Sequence, residues 1–212
     1  INDDPDQISS QKVKTIPKLD TSKIQIDTLD RVSDSLANEL IVLYNRIQVS
    51  DSISQIDYKT EFFELFPSDF KSYRDLFGYI DSKAMPLSGG SGYKIVTLFY
   101  QIESIDKTKR YNKYLDIAYN GVWNADNEQD FIIIHLLNSD PKGLCEILSL
   151  RSDKEIKSII KFVYDGPHPD DPITMKYFES TLDSVNKYNS RVAVLMKETY
   201  DSLLKNSCGH GH

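Results

Sequence analysis

Between positions 33 and 49, Leu36, Leu40, Leu43 and Ile47 recur at spacings of four, three and four. That period lays one apolar stripe along an α-helix and cannot serve a half-buried strand, whose faces alternate at every residue. The pattern returns down the chain, each time behind a residue that caps helices. Asp106 precedes Tyr111, Tyr114, Leu115 and Ala118, with Gly121 where a terminating glycine belongs. Asp140-Pro141 places a cap before a first-turn proline and opens a helix through Leu144, Ile147 and Leu148. Ser152 and Glu155 have capping-box spacing ahead of Ile156, Ile159, Ile160 and Val163. The expectation is an all-α fold: an irregular helical array or short α-solenoid-like domain of about 7–9 helices.

Breakers and ambiguous runs set the rest of the organisation. A shorter helix is predicted over 57–66, stopped by Pro67, and Ser68 is read as the cap of the next, which ends at Gly78. Residues 85–92, rich in Pro, Ser and Gly, predict a mobile loop. The apolar runs at 93–105 and 131–137 are assigned to helix, the first for its length and the second for Asp126 and Glu128 ahead of it. The last stretch reads as one long C-terminal helix, with Phe178, Leu182, Val185, Val192, Met196, Thr199 and Leu203 at heptad-like spacing if Asn189 is a seam position. Such a helix lies across the others or, alternatively, pairs two copies as a homodimer. Residues 1–32 read as a polar tether, 33–205 as one helical domain and 206–212 as a Cys/Gly/His tail.

Charge and composition narrow the function classes. The formal charge of −7 gives no general attraction for polyphosphate and no basic stripe offsets it, so no nucleic-acid partner is expected. No apolar run approaches the roughly 18–20 residues of a transmembrane helix. Position one is Ile1 rather than Met, which reads as a natural start that is missing or, the preferred expectation, a removed N-terminal signal, and the acidic leader suits a tether behind an export signal or a lipid anchor. Two cysteines, Cys145 and Cys208, leave a disulfide and two free thiols both open.

Candidate chemistry is sparse. In His168-Pro169-Asp170-Asp171 a ligand pair on a Pro-stiffened loop stands beside a second carboxylate, a set that holds and deprotonates a zinc-bound water. These residues resemble the metal motif of zinc-dependent de-N-acetylases of the LmbE-like kind, where His and one Asp bind zinc and the neighbouring Asp is the base. The context departs from that family: a helix precedes the motif, Pro172 stands where Glu follows, and no later His pair completes the site. The bland reading is an acidic linker in which Asp171-Pro172 starts a helix. The tail offers Cys208, His210 and His212 as donors for Zn, Cu or Ni, against a tail without fixed ligation. His135 within its apolar run reads as a buried, hydrogen-bonded histidine. The glycines at 89–92 lack the Gly-Lys-Ser/Thr ending of a phosphate loop. No cofactor is called for.

Tyrosine is frequent, at 13 residues, and Tyr111, Tyr114, Tyr119 and Trp123 gather in one helix and the turn after it. Tyrosine and tryptophan suit interfaces because the ring buries area while its polar atom stays satisfiable. The competing reading places them in the core.

The segments Phe62-Phe63-Glu64-Leu65-Phe66-Pro67, Ser68-Asp69-Phe70, Leu76-Phe77-Gly78-Tyr79, Gly121-Val122-Trp123-Asn124-Ala125-Asp126 and Asp165-Gly166-Pro167-His168-Pro169, with the Gly-His ending, resemble a pattern in small, predicted-exported helical proteins of Bacteroidetes-type bacteria. The resemblance spans roughly 57–212 and implies no established activity. It implies a periplasmic or cell-envelope location and a non-enzymatic role. The sequence-level expectation is therefore a non-catalytic protein-binding protein of the bacterial envelope whose acidic surface suits a basic partner, as in immunity-like neutralisation of a toxin. The alternative is a metal-binding protein or metal-dependent hydrolase using the tail or the His-Pro-Asp-Asp loop.

Overall fold

The computed structural model describes residues 31–80, 83–122, 129–165 and 169–207, with side chains except at 31–34, 129–132 and 207. Among the described residues it is all-α, with ten helices and one minimal ladder. The N-terminal part holds α1 (Arg31–Val49), α2 (Ser52–Leu65), α3 (Phe70–Phe77), β1 (Tyr79–Ile80), β2 (Lys83–Ala84) and α4 (Gly90–Gln101). There follow α5 (Lys107–Ala118), α6 (Gln129–Ser139), α7 (Pro141–Leu148), α8 (Asp153–Tyr164), α9 (Pro172–Tyr188) and α10 (Ser190–Ser207). β1 and β2 pair antiparallel, Tyr79 opposite Ala84, a feature too short to leave a period in the sequence.

The caps explain most boundaries. The Asp106, Asp140 and Asp171 side chains each accept a backbone N–H from the first turn of α5, α7 and α9, and Ser152 with Glu155 forms the full capping box of α8. Two starts move. Asp51 accepts from Ile53 N at 3.2 Å and Ser54 N at 2.9 Å, so α2 begins at Ser52 rather than 57. Asp69 rather than Ser68 caps α3, its Oδ1 accepting from Ser72 N at 2.9 Å. At the end of α5 the positive φ of 60° falls on Asn120, not Gly121. Gly121 is needed for another reason: a Cβ there would lie 2.5 Å from the Phe162 ring.

The segment expected to be a mobile loop is pinned. Leu87 is buried and its N–H donates to the Leu76 carbonyl at 2.8 Å, while α4 already begins at Gly90. Gly92, inside α4, passes so close that a Cβ would sit 1.7 Å from the Leu87 oxygen, which only glycine permits.

The long C-terminal helix is two helices. Asn189 has extended backbone (φ −154°, ψ 101°), donates its N–H to the Val185 carbonyl at 2.9 Å, and accepts Val192 N–H on its side-chain oxygen at 3.0 Å. One residue thus ends α9 and caps α10, the local bonding for which Asn is suited. The chain folds back so that Phe178 and Tyr200, each eleven residues from Asn189, stack with centroids 3.7 Å apart. The apolar stripe is the same for one long helix as for this hairpin. Its residues Phe178, Val185, Val192, Met196 and Leu203 are buried in the chain's own core.

Aromatic rings carry much of that core. Phe66 stacks on Phe99 at 3.8 Å, and Tyr114 meets Phe99 edge-on at 5.1 Å, joining α4 and α5 to the end of α2. Arg151, whose side chain is 13% exposed, donates to Asp116 at 2.6 Å and to Asn112 Oδ1 at 3.0 Å. Its own carbonyl accepts from Arg191 at 2.9 Å, so α5, the start of α8 and α10 are tied through one residue.

Candidate interaction surface

The sequence-selected tyrosines turn inward. Tyr111 and Tyr114 are buried, and Tyr119 is half-buried at the C-cap of α5. Trp123 lies outside the described residues. Tyr111 donates its hydroxyl to Asp140 Oδ2 at 2.8 Å, and Lys107 pairs with the same oxygen. Two of the four residues expected to meet a partner therefore serve the core and a helix cap. The period had placed both on the apolar face of α5, and that signal outweighs residue type.

Of the metal candidates, Asp170 and Asp171 are described. Asp171 caps α9 through Thr174 N at 3.3 Å, and Asp170 is exposed. His168, Cys208, His210 and His212 lie outside the described residues. Among the described residues no group of three His, Cys, Asp or Glu side chains is placed to hold a metal ion. His135, expected to be buried, is exposed on α6, because Ile133, Leu136 and Leu137 take the inward positions.

Most remaining charged groups are committed to structure. Lys113 reaches from α5 to the C-terminal end of α2, donating to the carbonyls of Phe63 and, at 3.1 Å, Glu64. Burial pulls its ammonium down to about 8, against the charge of Glu64. Burial likewise pushes the Cys145 thiol up to about 11, with Glu146 adding to the effect. A groove between α8 and α10 is bounded by two ion pairs, Arg191–Asp153 and Lys157–Glu198, and so carries no unmatched charge on its walls.

The α1/α2 hairpin differs. A groove of about 410 Å³ runs between the two helices, lined by Val42, Leu43 and Leu65 together with Asn38, Glu39, Arg46 and Glu61. Glu39 accepts a hydrogen bond from Ser35 at 3.3 Å, and neither Glu39 nor Glu61 has an ion-pair partner among the described residues. Arg46, on the same lining, has its guanidinium 5.7 Å from the centre of the Tyr58 ring, which leaves two carboxylates to one guanidinium among the described lining residues. At the turn of the same hairpin Val49, Ile53 and Ile56 are 70%, 82% and 55% exposed. Sequence reasoning passed over this face because Val42 lies outside the apolar stripe of α1 and a groove depends on how two helices sit side by side.

The fold and surface define an all-α protein with an open, acidic-walled helical hairpin. No family model, curated protein or solved structure matches the chain. No helix among the described residues is long and apolar enough to cross a membrane.

Proposed function

We propose that the chain is a non-catalytic protein-binding protein whose contact surface is the α1/α2 hairpin. The observation that supports this reading is the coincidence there of three exposed large aliphatic side chains with an apolar-floored groove. Exposed large apolar side chains cost solubility, and where several gather on one hairpin they are characteristic of binding faces. The inward turn of Tyr111 and Tyr114 moves the proposed surface from α5 to this hairpin. An exported, envelope setting and neutralisation of a toxin belong to the same proposal.

Affinity capture by the purified chain, run against each product of its neighbouring genes expressed singly, tests the reading. A stoichiometric complex with one product that survives gel filtration is the expected result. A chain that captures none of them overturns it.

A further inference from the structure

The hairpin's charges specify the kind of segment that fits its groove. Glu39 stands on one wall and Glu61 on the other, both exposed and both without an ion-pair partner among the described residues. Between them the floor is apolar: Val42 and Leu43 from α1, one helical turn from Glu39, and Leu65 from α2, one turn beyond Glu61. Arg46, also on the lining, sits over the Tyr58 ring, so among the described lining residues two carboxylates stand against one guanidinium. Two carboxylates left unmatched beside an apolar strip favour a segment that brings cations to the edges and aliphatic side chains to the middle.

Shape agrees with charge. The groove's lining runs from Asn38 to Arg46 on α1, about 12 Å of helix, and from Glu61 to Leu65 on α2, so it takes roughly two turns of a third helix laid along it. Apolar residues at one-turn spacing on that helix would meet Val42, Leu43 and Leu65, in the manner of an amphipathic helix entering a groove. A second copy of this chain is a poor occupant: both copies carry a net charge of −7, and each groove would bring two carboxylates against one guanidinium.

We infer that the α1/α2 groove binds a cationic amphipathic helix of a partner protein, held by Glu39 and Glu61 on its flanks and by Val42, Leu43 and Leu65 beneath. The inference rests on the protein-binding reading above and adds the chemistry of the partner.

The test uses the full chain and a fluorescein-labelled synthetic peptide of about four turns, Leu and Lys alternating at helical spacing, titrated by fluorescence anisotropy. Wild-type protein is expected to bind it. The double variant Glu39→Lys/Glu61→Lys is expected to bind at least about tenfold more weakly, and Val42→Asp similarly. A control with the same net charge, Glu103→Lys/Glu179→Lys, alters exposed residues away from the groove and is expected to stay within about twofold of wild type. Circular dichroism of each variant excludes misfolding, and the two groove variants perturb different chemistry, so loss of one fold leaves the other informative.

Wild-type protein that ignores the peptide overturns the inference, as does equal weakening in groove and control variants, which is net charge alone. Wild-type dimerisation abolished by Val42→Asp would assign the groove to a second copy and also overturn it. Failure of the broader reading looks different: then wild-type chain captures no neighbouring gene product, whereas a product captured equally by Glu39→Lys/Glu61→Lys leaves protein binding standing and removes the groove.

Discussion

Tyr111 and Asp140 are joined across 29 residues by a 2.8 Å hydrogen bond from the phenol to a carboxylate oxygen. The same carboxylate caps α7, its other oxygen accepting from Gly143 N at 3.1 Å, so one side chain closes a helix and fastens α5 to it. Removing the hydroxyl in Tyr111→Phe keeps the buried ring and leaves Asp140 with Lys107 and Gly143. The expected cost is about 1 kcal/mol, read by urea denaturation. A loss under a few tenths would show that the bond adds nothing beyond packing.

Asp140 also carries a pH dependence. Burial alone would raise its carboxyl, but hydrogen bonds from Lys107, Tyr111 and Gly143 outweigh burial and hold it below the usual carboxylate range. A carboxyl depressed in the folded state stabilises above its unfolded value, and that contribution fades as pH falls through the folded value. Asn at 140 keeps a competent cap without the charge. Asp140→Asn is therefore expected to be less stable than wild type at pH 7, with the gap closing as the solution is acidified below the carboxylate range. A gap that stays constant on acidification would contradict the assignment.

Cys145 is a buried free thiol with its ionisation pushed up to about 11. Only about one molecule in a thousand is thiolate at pH 8, and the thiolate is the nucleophile. In a Cys208→Ser background, which leaves a single thiol to follow, iodoacetamide at pH 8 is expected to leave the native chain unmodified over an hour and to alkylate it fully in concentrated urea. Native labelling at the rate of a free cysteine peptide would place the thiol at the surface.

What the sequence made legible was local and periodic. The stripes of α1, α5 and α8 and the caps at Asp106, Asp140, Ser152 and Asp171 were readable because each depends on residues within four positions of one another. Asn189 shows where that stops. Its seam position satisfies a continuous heptad and a hairpin equally, and what distinguishes them is the extended backbone at Asn189 and the stacking of Phe178 on Tyr200, eleven residues to either side. Gly121 shows the same limit, since the ring that excludes a side chain there belongs to Phe162, on another helix. The groove flanked by Glu39 and Glu61 was illegible for this reason too: no spacing in α1 or α2 records how far apart the two helices stand.

The turn entering α9 yields an ordering of two effects. Asp171 caps the helix with distances of 3.3 Å to Thr174 N and 3.4 Å to its hydroxyl, both long for hydrogen bonds. Asp171→Ala should therefore fall in the lower half of the usual range for a lost cap, about 0.5–1 kcal/mol. Tyr200 reaches the same turn from α10, donating its buried hydroxyl to the Pro169 carbonyl. Tyr200→Phe preserves the stack on Phe178 but strands that carbonyl away from water, at a cost of about 1–3 kcal/mol. Thermal and urea denaturation of both variants should place Tyr200→Phe below Asp171→Ala. The reverse order would mean that the turn is held by its own cap rather than by α10, and stoichiometric zinc in wild-type protein that disappears in Asp171→Ala would make this carboxylate a metal ligand instead.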